Sequence, residues 1–98
     1  MVLAAAVLLL GAASLYAEGR KVVKRSSVRY PELAAKMRVE GQVKLEADVD
    51  ANGDVSEVRA LSGHTLLKPA AVECLKKWQF EPANGRTVEV VTFDFKLP

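Results

Sequence analysis

The chain has 98 residues, of which 50% are hydrophobic and 27% are charged, and its formal net charge is +2. That length suffices for one domain, near the lower limit for a self-sufficient core. The charge is uneven, because residues 18–29 carry +4 from five basic side chains and one acidic one, whereas residues 30–98 carry −2. An acidic folded part argues against a nucleic-acid reader. The basic run favours contact with anionic lipid headgroups.

Residues 1–17 are apolar apart from Ser14, which predicts a signal peptide or a short membrane anchor. Ala17 suits signal-peptidase cleavage, although Leu15 is larger than the preferred residue. The positive-inside rule points to the opposite orientation, since basic residues follow this segment and none precedes it. The segment is also short for a membrane span. A start codon further upstream is one hypothesis that reconciles these observations.

The pattern divides the chain into three parts: a signal peptide or short anchor at 1–17, a basic linker at 18–29 and a folded domain at 30–98. Ser26 and Ser27 mark the end of the linker. A fully extended linker of this length spans at most roughly 40 Å. Such a linker does not carry the domain far from a membrane.

The first helix is predicted over residues 31–39. Pro31 suits the first helical position, since its missing N–H would be unpaired there anyway. Leu33 or Ala34, together with Met37, supplies the apolar stripe, and Gly41 is expected to end the helix.

Strict alternation begins at Gln42 and predicts the first strand of the domain, with one face buried. Residues 50–53 read Asp-Ala-Asn-Gly, a hairpin turn, and a second strand follows from Val55 to Ala60. The step from Val55 to Val58 breaks the alternation and predicts either a bulge or a later start of the strand.

A second helix is predicted over residues 66–78, with Pro69 in its first turn and one apolar face against the sheet. A third strand follows, in which Val91, Phe93, Phe95 and Leu97 alternate with Val90, Thr92, Asp94 and Lys96. The order α-β-β-α-β closes as an α+β fold, a three-stranded antiparallel sheet with two helices packed on one face. An N-terminal apolar helix or signal segment precedes it. Three strands leave two edges, and a long terminal edge strand needs a cover or a use.

Two motifs suggest chemistry. Asp48, Asp50, Asn52 and Gly53 match the opening of a calcium-binding EF-hand loop, but the twelfth position is Arg59, so a hairpin turn is the better interpretation. His64 follows Ser62 and Gly63 in one loop without an orienting carboxylate, which favours a loop or helix-cap residue over a catalytic base.

The carboxylates of Glu46 and Asp48 share the outer face of a strand, where solvation explains them. We therefore predict no catalytic residue, no metal site and no cofactor, and the chain is not expected to be an enzyme.

Cys74 is the only cysteine, so no internal disulfide forms, and its apolar neighbours predict a buried side chain. Trp78 and Phe80 could form an aromatic ligand platform, but core anchors are the favoured interpretation. In so small a domain, buried aromatics supply a large share of the apolar area.

Several short motifs occur in order between residues 30 and 97. They are Tyr30-Pro31 with Ala34-Ala35, Gly41-Gln42-Val43, Asp50-Ala51-Asn52-Gly53-Asp54-Val55, Ser62-Gly63, Ala70-Ala71, Lys77-Trp78-Gln79-Phe80-Glu81-Pro82, and Val91-Thr92-Phe93-Asp94-Phe95-Lys96-Leu97. Together they resemble the C-terminal domain of the TonB family, and the Lys-Trp-Gln-Phe-Glu-Pro stretch is the most specific of them.

The resemblance implies a periplasmic domain, secreted by a signal peptide or tethered to the inner membrane, that takes part in TonB-dependent transport. It also implies β-augmentation, in which an extended segment of an outer-membrane transporter or another envelope protein lies beside the last strand, about residues 88–96. The expected site residues are Val88, Val90, Thr92, Asp94 and Lys96. The alternative is an assembly module that forms a homodimer through the same edge. The chain departs from the family's energy transducers in having no long Pro-rich stretch and, in its N-terminal segment, no polar residue suited to a proton-driven motor.

Overall fold

The computed structural model describes residues 8–10, 13–15 and 19–98. Its elements in chain order are β1 (Leu8–Leu10), β2 (Ala13–Leu15), β3 (Val22–Lys24), α1 (Glu32–Lys36), β4 (Gly41–Val49), β5 (Val55–Ser62), α2 (Lys68–Lys76), β6 (Gln79–Phe80) and β7 (Thr87–Phe95). The predicted order is confirmed from α1 onward, with one short strand, β6, added between α2 and β7.

The main sheet is antiparallel and has the strand order β5-β4-β7. β4 pairs with β7 without interruption, from Gly41 opposite Phe95 to Val49 opposite Thr87. The pairing of β4 with β5 shifts register twice, once after Lys44 and once after Asp48. Of the two alternatives for the broken alternation after Val55, the structure shows the bulge, at the second shift, because β5 already begins at Val55.

The core lies between one face of this sheet and the helices. Its buried residues come from both helices, from strands β4 and β7, and from the residues on either side of α2. They are Ala34 in α1; Val43, Leu45, Ala47 and Val49 in β4; Leu67 just before α2; Ala71, Cys74 and Leu75 in α2; Trp78 and Phe80 after α2; and Val91, Phe93 and Phe95 in β7. Cys74 and Trp78 are each only 4% exposed. The Trp78 ring lies 5.4 Å from that of Phe93 and 6.3 Å from that of Phe80, centroid to centroid. Both predictions for these residues, a buried cysteine and an aromatic core anchor, are confirmed.

Helix α1 is shorter than predicted and ends differently. Arg38 takes a left-handed conformation with φ of 55°, and the Val39 N–H donates to the Ala34 carbonyl at 2.8 Å. The left-handed residue that ends the helix is therefore Arg38, and Gly41 begins β4 instead. A helix of five residues turns only one narrow face to the sheet, which Ala34 fills. The predicted stripe is thus wrong for Leu33 and Met37, which are 55% and 60% exposed.

A second, two-stranded sheet joins the start of the chain to the end of α2. Val22 of β3 lies opposite Phe80 of β6, and Lys24 lies opposite Gln79. The Glu81 N–H extends the pairing by donating to the Lys21 carbonyl at 2.9 Å. Residues 22–24, which the sequence pattern placed in the basic linker at 18–29, thus pair with the backbone of β6. These residues are part of the fold.

Within the N-terminal apolar segment, β1 and β2 form an antiparallel pair with Leu8 opposite Leu15. The backbone of β2 comes within 8 Å of β7 but does not pair with it. Most of the helix or signal segment expected over residues 1–17 lies outside the described residues, so that expectation stays a prediction. None of the helices in the described ranges has the length and apolar character needed to cross a membrane.

Candidate partner-binding edge

The two faces of β7 differ sharply in character. Side chains at alternate positions from Glu89 to Phe95 are buried against the core. On the opposite face, Val88 is 54% exposed, and Val90, Thr92 and Asp94 are half-buried. The structure therefore brings together four of the five predicted site residues on the outer face of one strand. The fifth, Lys96, is exposed and lies one residue past the end of β7.

The outer edge of β7 is the most regular strand edge in the described part of the chain. Among the described residues only β4 pairs with β7, and the backbone of β2 lies within 8 Å of β7 without pairing to it. At the opposite side of the sheet, the edge strand β5 is interrupted by two register shifts. Bulges make an edge a poor template for a further strand, whereas a straight and continuous edge is a good one. The geometry thus favours β7 over β5 as a surface for strand addition.

Ion pairs cover the outer face of β4 and β5 and distinguish it from the more apolar face of β7. Arg59 Nη2 lies 2.8 Å from Asp48 Oδ1 and 3.1 Å from Glu46 Oε1, and Arg86 Nη2 lies 3.6 Å from Asp48 Oδ2. Hydrogen bonds from Arg59 hold the pKa of Asp48 below its usual range. The hydrogen bonds that Arg59 donates to Asp48 and Glu46 raise the pKa of the Arg59 guanidinium above its usual value. The two carboxylates, predicted to be simply solvated, instead form cross-strand pairs that fix the outer face of the sheet.

A buried arginine anchors the start of the chain beside the first residues of β7. Arg20 is 6% exposed, and its guanidinium donates to four backbone carbonyls, those of Val49, Asp50, Glu81 and Gly85. Its backbone N–H donates to Glu89 Oε1 at 3.3 Å. The sequence interpretation missed both residues.

A signal for this anchor was present in the sequence. Glu89 shares the inward parity of Val91 and Phe93 in the strand pattern, and a carboxylate at a core position requires partners. Glu89 is 2% exposed, and its carboxylate also accepts a hydrogen bond from Thr87 Oγ1 at 2.7 Å. The position of Glu89 predicts a buried polar contact, although it does not say with which residue.

The candidates for chemistry serve local structure. His64 Nδ1 accepts a hydrogen bond from the Leu66 N–H at 3.0 Å in the turn before α2, which is the loop role among the two that were favoured for it. Asp50 Oδ1 accepts from the backbone N–H groups of Asn52 and Asp54 at 3.0 and 2.9 Å. The residues that resemble the opening of a calcium loop therefore form a hairpin turn, which the Asp50 carboxylate stabilises.

An open cleft of about 680 Å³ lies between the segment that precedes α1 and the exposed side of α2. Its lining includes Tyr30, Pro31, Leu66 and Pro69, with Cys74 among the residues on α2. The Cys74 thiol donates to the Ser26 carbonyl at 3.2 Å, which ties the segment to the helix. Burial raises the pKa of the Tyr30 phenol, and the nearby Glu40 carboxylate raises it further. The cleft is distinct from the edge of β7.

The fold and its edge define the class of protein: a small α+β domain with two helices on one face of an antiparallel sheet that ends in a long, regular strand. The chain belongs to the family described as "Gram-negative bacterial TonB protein C-terminal", whose profile matches residues 26–97. The resemblance read from the motifs is therefore confirmed.

Individual relatives and a solved structure agree with this assignment. The chain is 31% identical to "Protein TonB" of Escherichia coli strain K12 over 83 residues, which are 83% of this chain and 35% of that protein. It is 41% identical over 75 residues to "Protein tonB2" of Pseudomonas aeruginosa, covering 69% of this chain and 28% of that one. The chain thus spans about a third of the length of these relatives.

The solution NMR structure of the Pseudomonas aeruginosa TonB CTD superimposes with a TM-score of 0.64 at 22% identity, over 82% of this chain and 88% of that one. At that level of identity the match concerns the fold, and it supports the α+β architecture with its antiparallel sheet.

Proposed function

We propose that this chain is a TonB-type domain that acts in TonB-dependent transport across the cell envelope, by pairing the edge of β7 with an extended segment of an outer-membrane receptor. It is a binding module that acts without catalysis or cofactor, and it lies in the periplasm, secreted or tethered to the inner membrane. The single observation that carries the proposal is the continuous β4–β7 ladder, in which β7 is an end strand of the three-stranded sheet.

The faces of the strand supply what strand addition needs. In β-augmentation, main-chain hydrogen bonds contribute affinity, and side chains at alternate positions contribute selectivity. An incoming strand would place its outer-face side chains beside Val88 and Val90, which offer apolar surface, and beside Thr92 and Asp94 further along. We therefore expect receptor segments with a β-branched or apolar residue near the start of β7.

The basic residues before the domain suit a location at a membrane surface. Lys21, Lys24, Arg25 and Arg29 are exposed, whereas Arg20 is buried and is unavailable to lipid. Val23, between two of these basic side chains, is 64% exposed. An apolar residue among cations favours anionic membrane interfaces. Contact of this stretch with lipid is accordingly part of the proposal.

Amide hydrogen exchange tests the edge directly. The isotope-labelled chain would be titrated with synthetic peptides covering the periplasm-facing segments of outer-membrane receptors from the same bacterium. In an antiparallel ladder, alternate residues of β7 point their N–H groups away from β4. These alternate amides should gain protection on binding, while the amides of β5 serve as the internal control. Protection at β5, or binding without any protection at β7, contradicts the assignment.

A proline substitution adds a functional test. If exchange in the free protein places the Thr92 N–H on the outer edge, Thr92→Pro leaves the β4 ladder intact and removes one donor to the partner. Loss of a main-chain hydrogen bond of about 1–1.5 kcal/mol weakens binding roughly tenfold. Ser56→Pro, at the bulge in β5, is the matched control and should bind normally. Unchanged peptide affinity in folded Thr92→Pro counts against this edge.

Self-association through the same edge is the alternative, and the same samples distinguish it. Two copies of β7 paired antiparallel would form an isologous dimer with two-fold symmetry. The mass in solution would then rise with concentration, and Thr92→Pro would lower it. A mass equal to one chain at all concentrations leaves receptor pairing as the use of the edge.

A further inference from the structure

We propose that Arg20 is a positioning residue for the edge of β7, so that residues before the family-matched region control how that edge is presented to a partner. The inference rests on the proposed function for its consequence in binding. The structural part of the inference, that Arg20 positions the edge of β7, concerns the domain alone and is tested separately.

The contacts of Arg20 converge from separate parts of the chain. Its Nη1 lies 2.5 Å from the Asp50 carbonyl and 3.2 Å from that of Glu81. Its Nη2 lies 3.3 Å from the Val49 carbonyl and also donates to that of Gly85. One guanidinium therefore joins the end of β4 to the loop that leads into β7.

The backbone of the same residue reaches β7 itself. The Arg20 N–H donates to Glu89 Oε1, and Gly19 packs so closely that a Cβ there would lie 3.2 Å from both carboxylate oxygens. Gly19 has φ of +91°, a conformation that residues with a side chain rarely adopt. The second oxygen of Glu89 accepts from Thr87 Oγ1. The start of β7 is thus connected to Gly19 and Arg20 through the Glu89 carboxylate, which also accepts from Thr87.

The Arg20 guanidinium is both charged and buried, so leaving it without hydrogen-bond acceptors would cost free energy. A buried arginine needs acceptors for its donors, and here backbone carbonyls supply them to Nη1 and Nη2 instead of a carboxylate. The buried Nε has no hydrogen-bond partner among the described residues. Carbonyls are fixed to the backbone, so satisfying the guanidinium also fixes the loop of residues 81–86. A lysine would keep the charge, but its single nitrogen cannot bridge four separated carbonyls. We call the contact of the Arg20 guanidinium with these four carbonyls the clamp, because it fixes backbone segments rather than balancing a charge.

This position at one end of β7 predicts a local effect. Removing the guanidinium should loosen the loop of residues 81–86. The backbone N–H of residue 20 remains in the variant, but it is then no longer held in place beside Glu89, so the first residues of β7 should loosen as well. The far end of β7 is held separately, since Tyr30 packs edge-on against Phe95 with ring centroids 5.5 Å apart. A clamp that positions the edge will therefore act on residues 87–91 and leave residues 93–95 unchanged. A residue that only stabilises the fold would act on the whole sheet.

The test uses the full chain with Arg20→Gln, and Arg25→Gln as the matched control from an exposed position on the same segment. Amide exchange in the free protein is expected to accelerate at least tenfold at residues 87–91 in Arg20→Gln and less than twofold at residues 93–95. Arg25→Gln should leave both regions unchanged. A uniform acceleration across β4 and β7, or none, overturns the positioning role. If Arg20→Gln does not fold, Arg20→Lys carries the same comparison.

Binding is then measured with the receptor peptide that gave the strongest protection in the titration above. The expected result is at least fivefold weaker binding by Arg20→Gln than by wild type and Arg25→Gln. Equal affinity, together with faster local exchange, overturns the link between the clamp and the edge. If local exchange accelerates but no receptor peptide binds the wild type, the proposed function fails while the clamp stands.

Discussion

Replacing Gly53 with alanine should be the most damaging single-methyl change in the domain. Gly53 lies in the hairpin between β4 and β5 with φ of +95°, and a Cβ there would lie 1.9 Å from the Phe80 carbonyl oxygen. The Phe80 N–H donates to the Gly53 carbonyl at 2.8 Å, so the two backbones are in direct contact. The added methyl group must push β6 away from the hairpin.

The magnitude follows from two costs. A non-glycine residue in a left-handed conformation costs about 1–2 kcal/mol, and the hydrogen bond that is lost contributes about 0.5–1.5 kcal/mol. We expect Gly53→Ala to lower the free energy of unfolding by about 2–3 kcal/mol. A domain of this size has a total of roughly 4–12 kcal/mol. At an m-value near 1 kcal/mol/M, the urea midpoint should fall by about 2 M or more.

Urea unfolding followed by the fluorescence of Trp78, the only tryptophan, measures this directly. Gly85→Ala is the matched control, because nothing lies within 4 Å of a Cβ at that position and its φ is not in the left-handed region. Alanine there should change stability little, or raise it by up to about 1 kcal/mol. The reasoning is refuted if Gly53→Ala unfolds at the wild-type midpoint, or if both variants shift it equally.

Three further changes test other parts of the fold. Arg38→Gly should stabilise the domain by about 0.5–1 kcal/mol in urea unfolding, since Arg38 ends α1 with a positive φ. Because the folded pKa of Asp48 is lowered, its pairing with Arg59 stabilises the fold above about pH 4 and is lost as the pH falls through that folded pKa. The difference in Tm between wild type and Arg59→Gln should therefore be largest near neutral pH and shrink in acid; a difference that grows in acid would contradict the assignment. Leu75→Ala should cost about 2–5 kcal/mol, because Leu75 is fully buried, whereas Leu33→Ala, at an exposed site, should change stability by less than about 0.5 kcal/mol.

The elements that the sequence predicted well are those whose periodicity extends over many residues. Strict alternation from Gln42 to Val49 identified β4, and the alternation of aromatic and polar residues identified β7. α2 was recognisable from its apolar face. Long patterns are reliable because a single misplaced residue would expose or bury an entire face. The order of the elements then left few ways to close the sheet.

The features that the sequence did not predict depend on partners distant in the chain. β3 and β6 have three and two residues, too few to show a period, and each exists because the other pairs with it. Arg20 looked like the first member of a basic run that contacts anionic lipid headgroups. Its carbonyl acceptors lie between 29 and 65 residues away, so its burial is a property of the assembled fold. The inward position of Glu89 was the only local signal.

Contacts with residues distant in the chain fix both ends of β7, the strand that forms the proposed binding edge. The start of β7 is held by Arg20 and Glu89, and its end is held by Tyr30 against Phe95 and by the Leu97 N–H, which donates to Glu40 Oε2 at 2.7 Å. An edge that is fixed at both ends loses little conformational freedom when a strand is added, and pre-organisation of this kind raises affinity without new contacts. We therefore expect receptor peptides to protect the outer amides of β7 while the amides already paired with β4 keep their exchange rates. If peptide binding instead slowed exchange throughout β4 and β7, the edge would be forming on binding, and the fixed template inferred here would be wrong.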